Sequence, residues 1–347
     1  MPPVRRAMIR HGAPRRDSWQ TPVRPESDRT MRRHASRSIA LTETPGRVIN
    51  RVAVVGAGTM GAQIASLAAF GGRHVALFDA VPNALQRGRE RAEREILPAI
   101  AAAEMADGDV AGALARLRLA ESLQDAVSDA DLVIEAVRED LDTKRAVFVD
   151  LSRFAQSDTI LATNSSSLPS APLAEVVERP DRLLNMHFFA PVWVRSMLEL
   201  MTCGQTSDEV LASTRRFGRS LGLVTAVVRG QSKGFIINRI WRAVKRESLR
   251  VVDEGVADPE DVDRLWMLFF QTQYAPFGIM DMVGLDVVAD IEASYHAVSP
   301  DPTDLPSQTL HRLITEGKLG EKSGQGFYTH PNPEYARPDF LLGMDDD

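Results

Sequence analysis

A β-branched run, Val52-Ala-Val-Val55, leads directly into Gly56-x-Gly58-x-x-Gly61, and a stretch of helical composition, Ala62 to Phe70, follows. Strand, glycine turn and helix in that order restrict this part of the chain to a βα unit whose turn approaches a ligand closely. Gly56 permits the tight turn, Gly58 lets the backbone come near a pyrophosphate, and Gly61 lets helix and strand pack closely. The loop from Gly56 to Gly61, with Ala57, Thr59 and Met60 between its glycines, is therefore expected to hold phosphates against the helix N-terminus. His74-Val-Ala-Leu-Phe78 reads as the next strand and ends at Asp79, eighteen residues after Gly61. A carboxylate there accepts hydrogen bonds from the adenosine ribose and repels a 2′-phosphate, so the expected cofactor is NAD.

Asp131 to Glu135 and Thr159 to Thr163 are further strand-like runs, and helical stretches such as Asn83 to Ala103 and Thr143 to Phe154 alternate with them. That alternation predicts an α/β fold with a Rossmann-type, doubly wound parallel sheet. Ligands of such sheets lie beyond the carboxyl ends of the strands, where Glu135 to Glu139, Asn164 to Ser167 and His187 all fall. Leu183 to Phe189 and Ser196 to Met201 read as two short strands separated by Pro191 and a polar break. Pairing of these two would bring His187 and Glu199 together. The carboxylate would then hold one ring nitrogen as N–H and leave the other for proton exchange with a substrate.

From about Ser232 the pattern turns helical, over 236–254, 259–270, 284–297 and 306–316. Asp258-Pro-Glu-Asp261 looks like a helix start with Asp258 as the capping acid. At 347 residues the chain has room for two domains of ~100–200 residues each. The expected layout is an Arg-rich extension over 1–46, a nucleotide domain over 47–231, a smaller all-helical domain over 232–330 and a tail over 331–347. The extension holds ten arginines before residue 40 and no apolar period, so it is expected to be disordered. Its composition also suits an organelle transit peptide, although a bacterial extension or a start at Met31 is the preferred reading. A net charge of −6 argues against nucleic acid as a partner. No apolar run approaches the ~18 residues of a membrane helix, and a cytoplasmic location is expected. The single cysteine, Cys203, excludes an internal disulfide, and no metal site is expected.

These blocks together resemble the 3-hydroxyacyl-CoA dehydrogenase family over roughly residues 50–330. The matching blocks run in order. They are the glycine fingerprint ending at Asp79, Glu135-Ala-Val-x-Glu139, Asn164-Ser-Ser-Ser-Leu168, His187-Phe-Phe-x-Pro191 with Glu199, Gly234-Phe-Ile-Ile-Asn238-Arg239, and Gly320-Glu-Lys-Ser-Gly-Gln-Gly-Phe-Tyr328. Asp281-Met-Val-Gly-Leu-Asp286 is a looser match. The resemblance implies an NAD-dependent dehydrogenase that interconverts a 3-hydroxyacyl thioester, CoA above all, with its ketone. It implies His187 as the acid/base and Glu199 as its partner. Ser166 and Asn238 would touch the substrate oxygens and the histidine, while Glu139, Lys144, Ser166 and Lys322 would lie on the ribose and nicotinamide side. It also implies a homodimer through the helical domain. Read alone, Asn238 would be a helix cap, Ser166 a turn residue and Lys322 a solvated lysine.

The chain departs from the family where Ala190 replaces the usual asparagine after His-Phe-Phe, and where Trp193-Val-Arg195 replaces a smaller run. Glu95 and Ala102 stand near positions that carry a serine and a lysine in CoA-binding members, and an acid there is unfavourable to CoA phosphates. The alternative is therefore the same chemistry on a carrier-protein-bound, polyketide or free hydroxy acid. A non-catalytic NAD-binding protein is the remote third reading.

Overall fold

The computed structural model describes residues 46–343 apart from Val298, Pro300, Pro302 and Thr303. The Arg-rich extension lies outside the described residues but for Gly46, and so do the last four residues of the acidic end. Two compact units divide between Ile236 and Ile237.

The first unit holds one eight-stranded sheet in the order β3-β2-β1-β4-β5-β6-β7-β8. Its strands are β1 Arg51–Val55, β2 His74–Phe78, β3 Leu117–Leu119, β4 Leu132–Glu135, β5 Ile160–Thr163, β6 Leu183–Phe188, β7 Met197–Thr202 and β8 Val224–Val228. Every residue of β4, β5 and β6 is buried, as expected where helices cover both faces of a parallel sheet. Alternation splits β1 between two cores. Val52 and Val54 face a cluster that includes Ile64, Leu67 and Phe70 of the fingerprint helix. Ala53 and Val55 face a second cluster with Phe148 and Leu151. The pairs from β3 through to β6 are parallel, and the strand order reverses between β1 and β4. β7 then runs antiparallel to β6, with His187 directly opposite Glu199. The hairpin expected from the sequence is present, in the register that places these two side chains on one face.

Strands β3 and β8 were not legible in the sequence. The first has three residues, and the second is a partly exposed edge strand with Val224 exposed to 71%. The helix Asp208–Ser220, also unread, starts at Ser207, whose side chain accepts from the Val210 N–H. The expected helix over Asn83–Ala103 is broken into Pro82–Arg91, a π turn Ala92–Ile96 and Leu97–Ala102.

The second unit is helical, with Ile237–Asp253, Pro259–Phe270, Pro276–Val283, Leu285–His296 and Gln308–Thr315. Its core gathers Leu249, Phe277, Met280, Leu285, Leu313 and Tyr328. Two buried carboxylates tie its segments together. Asp281 accepts from the N–H groups of Phe327 and Tyr328, both at 2.9 Å. Asp263 accepts from Phe277 N, Gly278 N and the Tyr328 hydroxyl. Burial pushes the Asp263 carboxyl up to about 6. The glycine-rich block ending at Tyr328 thus closes this core.

Asn238 lies inside the first turn of the helix that begins at Ile237. Two expectations are corrected here. Asp258 occupies the cap position of Pro259–Phe270, but its side chain makes no capping hydrogen bond. Residues 331–343, expected as a tail, instead pack: Phe340 is buried, and its carbonyl accepts from Arg264 Nε at 2.7 Å. Among the described residues no helix is long and apolar enough to cross a membrane.

Candidate active site

Three constellations, one of them a glycine cradle, lie at the carboxyl ends of the central strands. The cradle comes first in the chain. Gly56 has φ +105°, and a Cβ there would stand 2.6 Å from the Ala136 carbonyl oxygen. A Cβ at Gly61 would fall 1.7 Å from the Gly56 oxygen, so the helix Thr59–Phe70 can lie against the turn only without one. No side-chain oxygen caps that helix, and a Cβ at Gly58 would meet nothing within 4 Å. Uncapped N–H groups beside open space fit a dinucleotide pyrophosphate. Asp79, at the end of β2, accepts from Ala57 N at 2.7 Å and from Val81 N at 2.8 Å. The acid is thereby held against the fingerprint loop, where the adenosine ribose of NAD is expected.

The second constellation is the β6–β7 pair. His187 Nδ1 lies 2.9 Å from Glu199 Oε2, and both residues are buried. An ionised carboxylate only accepts, so this contact is an Nδ1–H donating to Glu199, and Nε2 is the ring nitrogen left for another partner. The other Glu199 oxygen accepts from Ile236 N at 3.0 Å, which fixes the carboxylate from a second direction. The imidazole sits between two rings, Phe189 at 4.1 Å and Phe235 at 4.9 Å between centroids. Phe235 adopts φ +56°, a left-handed conformation costly for a bulky residue, and it is buried. That turn is what directs the next N–H, of Ile236, to Glu199. Neither Phe235 nor Ile236 was singled out from the sequence, although both lie inside the Gly234-to-Asn238 block.

The third constellation joins the ends of β4 and β5. Glu135 is fully buried and bonded to Lys144 Nζ at 2.8 Å, to the Thr163 hydroxyl at 2.7 Å and to Val137 N at 2.7 Å. Lys144 is itself buried and also pairs with Glu139 at 3.3 Å. Burial alone would raise the Glu139 carboxyl. The Lys144 ammonium and the hydrogen bonds from Ser165 and Ser167 outweigh that, and hold it below the usual carboxylate range. Ser166 is exposed and lies in the loop that Glu139 faces. Asn164 connects this loop to the histidine strand, its Oδ1 accepting from Phe188 N at 3.0 Å. Gln63 and Asn185 are two further buried residues with no signal in their spacing. Gln63 accepts from Val192 N, and Asn185 bridges Ser170 N and the Leu168 carbonyl.

Asn238 and Lys322 belong to the second unit. Lys322 Nζ is held by Asp286, 2.6 Å from Oδ2, so the ammonium expected to face the cofactor already has a carboxylate partner. Among the residues that depart from the family pattern, Ala190 receives the Arg195 guanidinium on its carbonyl. Glu95 pairs at 3.9 Å with Arg91 one helical turn away.

Comparison with known proteins agrees across both units. Residues 51–231 match the NAD binding domain of 3-hydroxyacyl-CoA dehydrogenase, and residues 234–330 match the C-terminal domain of the same family. A probable 3-hydroxybutyryl-CoA dehydrogenase of Bacillus subtilis is 33% identical over 282 residues, covering 81% of this chain and 98% of that protein. The solved (S)-3-hydroxybutyryl-CoA dehydrogenase of Ralstonia eutropha superposes with a TM-score of 0.75 at 33% identity, over 81% of this chain and 99% of that one. A diketoreductase acting on dicarbonyl compounds superposes with a TM-score of 0.72 at 34% identity, over 82% of this chain and all of that one.

Proposed function

The chain belongs to the 3-hydroxyacyl-CoA dehydrogenase family, and from that membership we propose that it interconverts a 3-hydroxyacyl-CoA and its 3-ketoacyl form with NAD, using His187 and Glu199 as the acid/base pair. The observation that carries the reading is the 2.9 Å contact from Nδ1 to the Glu199 carboxylate, which leaves Nε2 as the basic atom. Bound NAD supplies the hydride acceptor, and NADH the donor in the reverse direction. His187 Nε2 takes the proton of the 3-hydroxyl during oxidation and returns it to the ketone oxygen during reduction. Glu199 keeps the ring in one tautomer and one orientation throughout. Ser166 and Asn238 hold the substrate oxygens, and Glu139, Lys144 and Lys322 stand on the nicotinamide side. The loop from Gly56 through Ala57, Thr59 and Met60 to Gly61 holds the pyrophosphate.

Asp79 sets the cofactor preference. NADH should bind more tightly than NADPH by at least ~1.4 kcal/mol, about tenfold, because a 2′-phosphate would face a like charge. Fluorescence titration with both cofactors checks this, and equal affinities would remove Asp79 from the ribose site.

The substrate test compares acetoacetyl-CoA, its pantetheine thioester and free acetoacetate in one NADH-oxidation assay. A preference for the CoA thioester of roughly tenfold or more supports the reading, and points to Arg87, Arg91 or Arg94 for the phosphates. Glu95 and Ala190, with the likeness to a diketoreductase, favour a second reading in which the ketone is carried by something other than CoA. Equal rates on all three compounds would select it.

The proposed assembly is a homodimer through the second unit. Leu265, Leu268 and Phe269 lie on one helical face at 65%, 50% and 80% exposure, a costly display for a monomer. Sedimentation should give about twice the 38.2 kDa chain mass, and Phe269→Glu should shift it toward the monomer. A parent protein that sediments as a monomer at assay concentration refutes the assembly.

A further inference from the structure

Glu139 has more donors around it than a carboxylate waiting for a ribose needs. Its Oε1 receives the Ser165 hydroxyl at 2.6 Å, the Ser167 N–H and hydroxyl each at 2.9 Å, and the Ser166 N–H at 3.0 Å. The Ser166 hydroxyl is the most distant of the set at 3.4 Å. Its other oxygen faces Lys144 at 3.3 Å. Lys144 in turn is anchored by Glu135, whose two oxygens lie 2.8 and 3.1 Å from Nζ.

We propose that Glu139 is a positioning residue that templates the Ser165–Ser167 loop, and that Glu135 and Lys144 act through it by fixing where its carboxylate stands. The proposal rests on the reading of Ser166 as a substrate-contacting residue. Three consecutive loop residues converge on one oxygen, so the backbone at 165–167 curls around an acceptor at that point, and a charged one holds it most firmly. Ser165 donates to Glu139 and accepts from Leu168 N at 2.8 Å, so its oxygen is committed to the loop. Ser167 donates to the same carboxylate. Ser166 donates its N–H to that oxygen at 3.0 Å and its hydroxyl at 3.4 Å, and it is the exposed residue of the three. The Lys144 ammonium, buried between two carboxylates, stops Glu139 from turning away from the loop.

The experiment uses the full chain with Glu139→Ala and Glu139→Gln and reads three quantities. Amide hydrogen exchange over 164–168 should quicken at least ~10-fold in Glu139→Ala, while exchange in β1 and β4 stays unchanged. Turnover at saturating NADH should fall by ~30-fold or more, since a loop displaced by ~1 Å costs on the order of 10²-fold. The NADH dissociation constant is measured alongside, and saturating NADH keeps any weakening of the cofactor site out of the turnover comparison. Glu139→Gln keeps one acceptor oxygen for the loop and should recover part of both the protection and the turnover. Unchanged exchange in the loop overturns the proposal, and so does a weakened NADH affinity with turnover intact at saturation, because both describe a plain ribose contact. Lost protection with turnover intact would keep Glu139 as the loop's template and would instead remove Ser166 from the reaction.

Discussion

Replacing His187 with glutamine should cut turnover by ~10²–10⁴-fold while leaving NADH affinity within a few-fold of the parent enzyme. The glutamine amide can still donate to the Glu199 carboxylate, so that buried acid keeps a partner and the fold is spared a further cost. What the variant lacks is a nitrogen that titrates. His187→Ala makes the same cut in turnover but also leaves a void between Phe189 and Phe235, whose rings flank the imidazole at 4.1 and 4.9 Å. Glu199→Gln should cost less than either, because an amide oxygen can still accept from Nδ1. Steady-state assays with the preferred ketone, paired with fluorescence titration of NADH, distinguish loss of chemistry from loss of binding. Near-normal turnover in His187→Gln would mean that another group moves the proton.

The largest effect on stability is expected at Lys144. Lys144→Met removes the cation from a site where Glu135 is fully buried and accepts two bonds from the ammonium. An uncompensated buried charge costs ~3–5 kcal/mol. In a unit of this size each kcal/mol lowers the melting temperature by about 2–4 °C, so a drop of roughly 6–20 °C is expected by calorimetry. The double variant Lys144→Met with Glu135→Gln should recover much of the loss, because the buried charge is then gone, the amide oxygen can still accept from Val137 N, and the amide N–H can donate to the Thr163 hydroxyl. A single variant as stable as the parent, or a double variant no better than the single, would show that the pair carries no such cost.

The parts of this protein legible in its sequence share a cause: each is written in residues close together in the chain. The fingerprint strand, turn and helix span only 51–70, and the steric limits at Gly56 and Gly61 act between atoms a few residues apart. The twelve-residue spacing of His187 and Glu199 suffices for a hairpin, and alternation within it puts both side chains on one face. Four of the five helices of the second unit were readable within a few residues at each end, and only the short Pro276–Val283 was not. What the sequence concealed depends on which chain ends the sheet sets side by side. Glu139 and the serines it gathers are 26 to 28 residues apart, and they meet because β4 and β5 pair in parallel. Lys144, in an otherwise ordinary helix start, is buried only because its first turn packs over those strand ends, so its charge found carboxylates instead of solvent. Phe235 holds its left-handed backbone because Met201 and Val228 enclose its ring. Local pattern determined the fold class and the pairing of His187 with Glu199; long-range packing decided which charges are compensated, since only the assembled sheet removes the water that would otherwise solvate them.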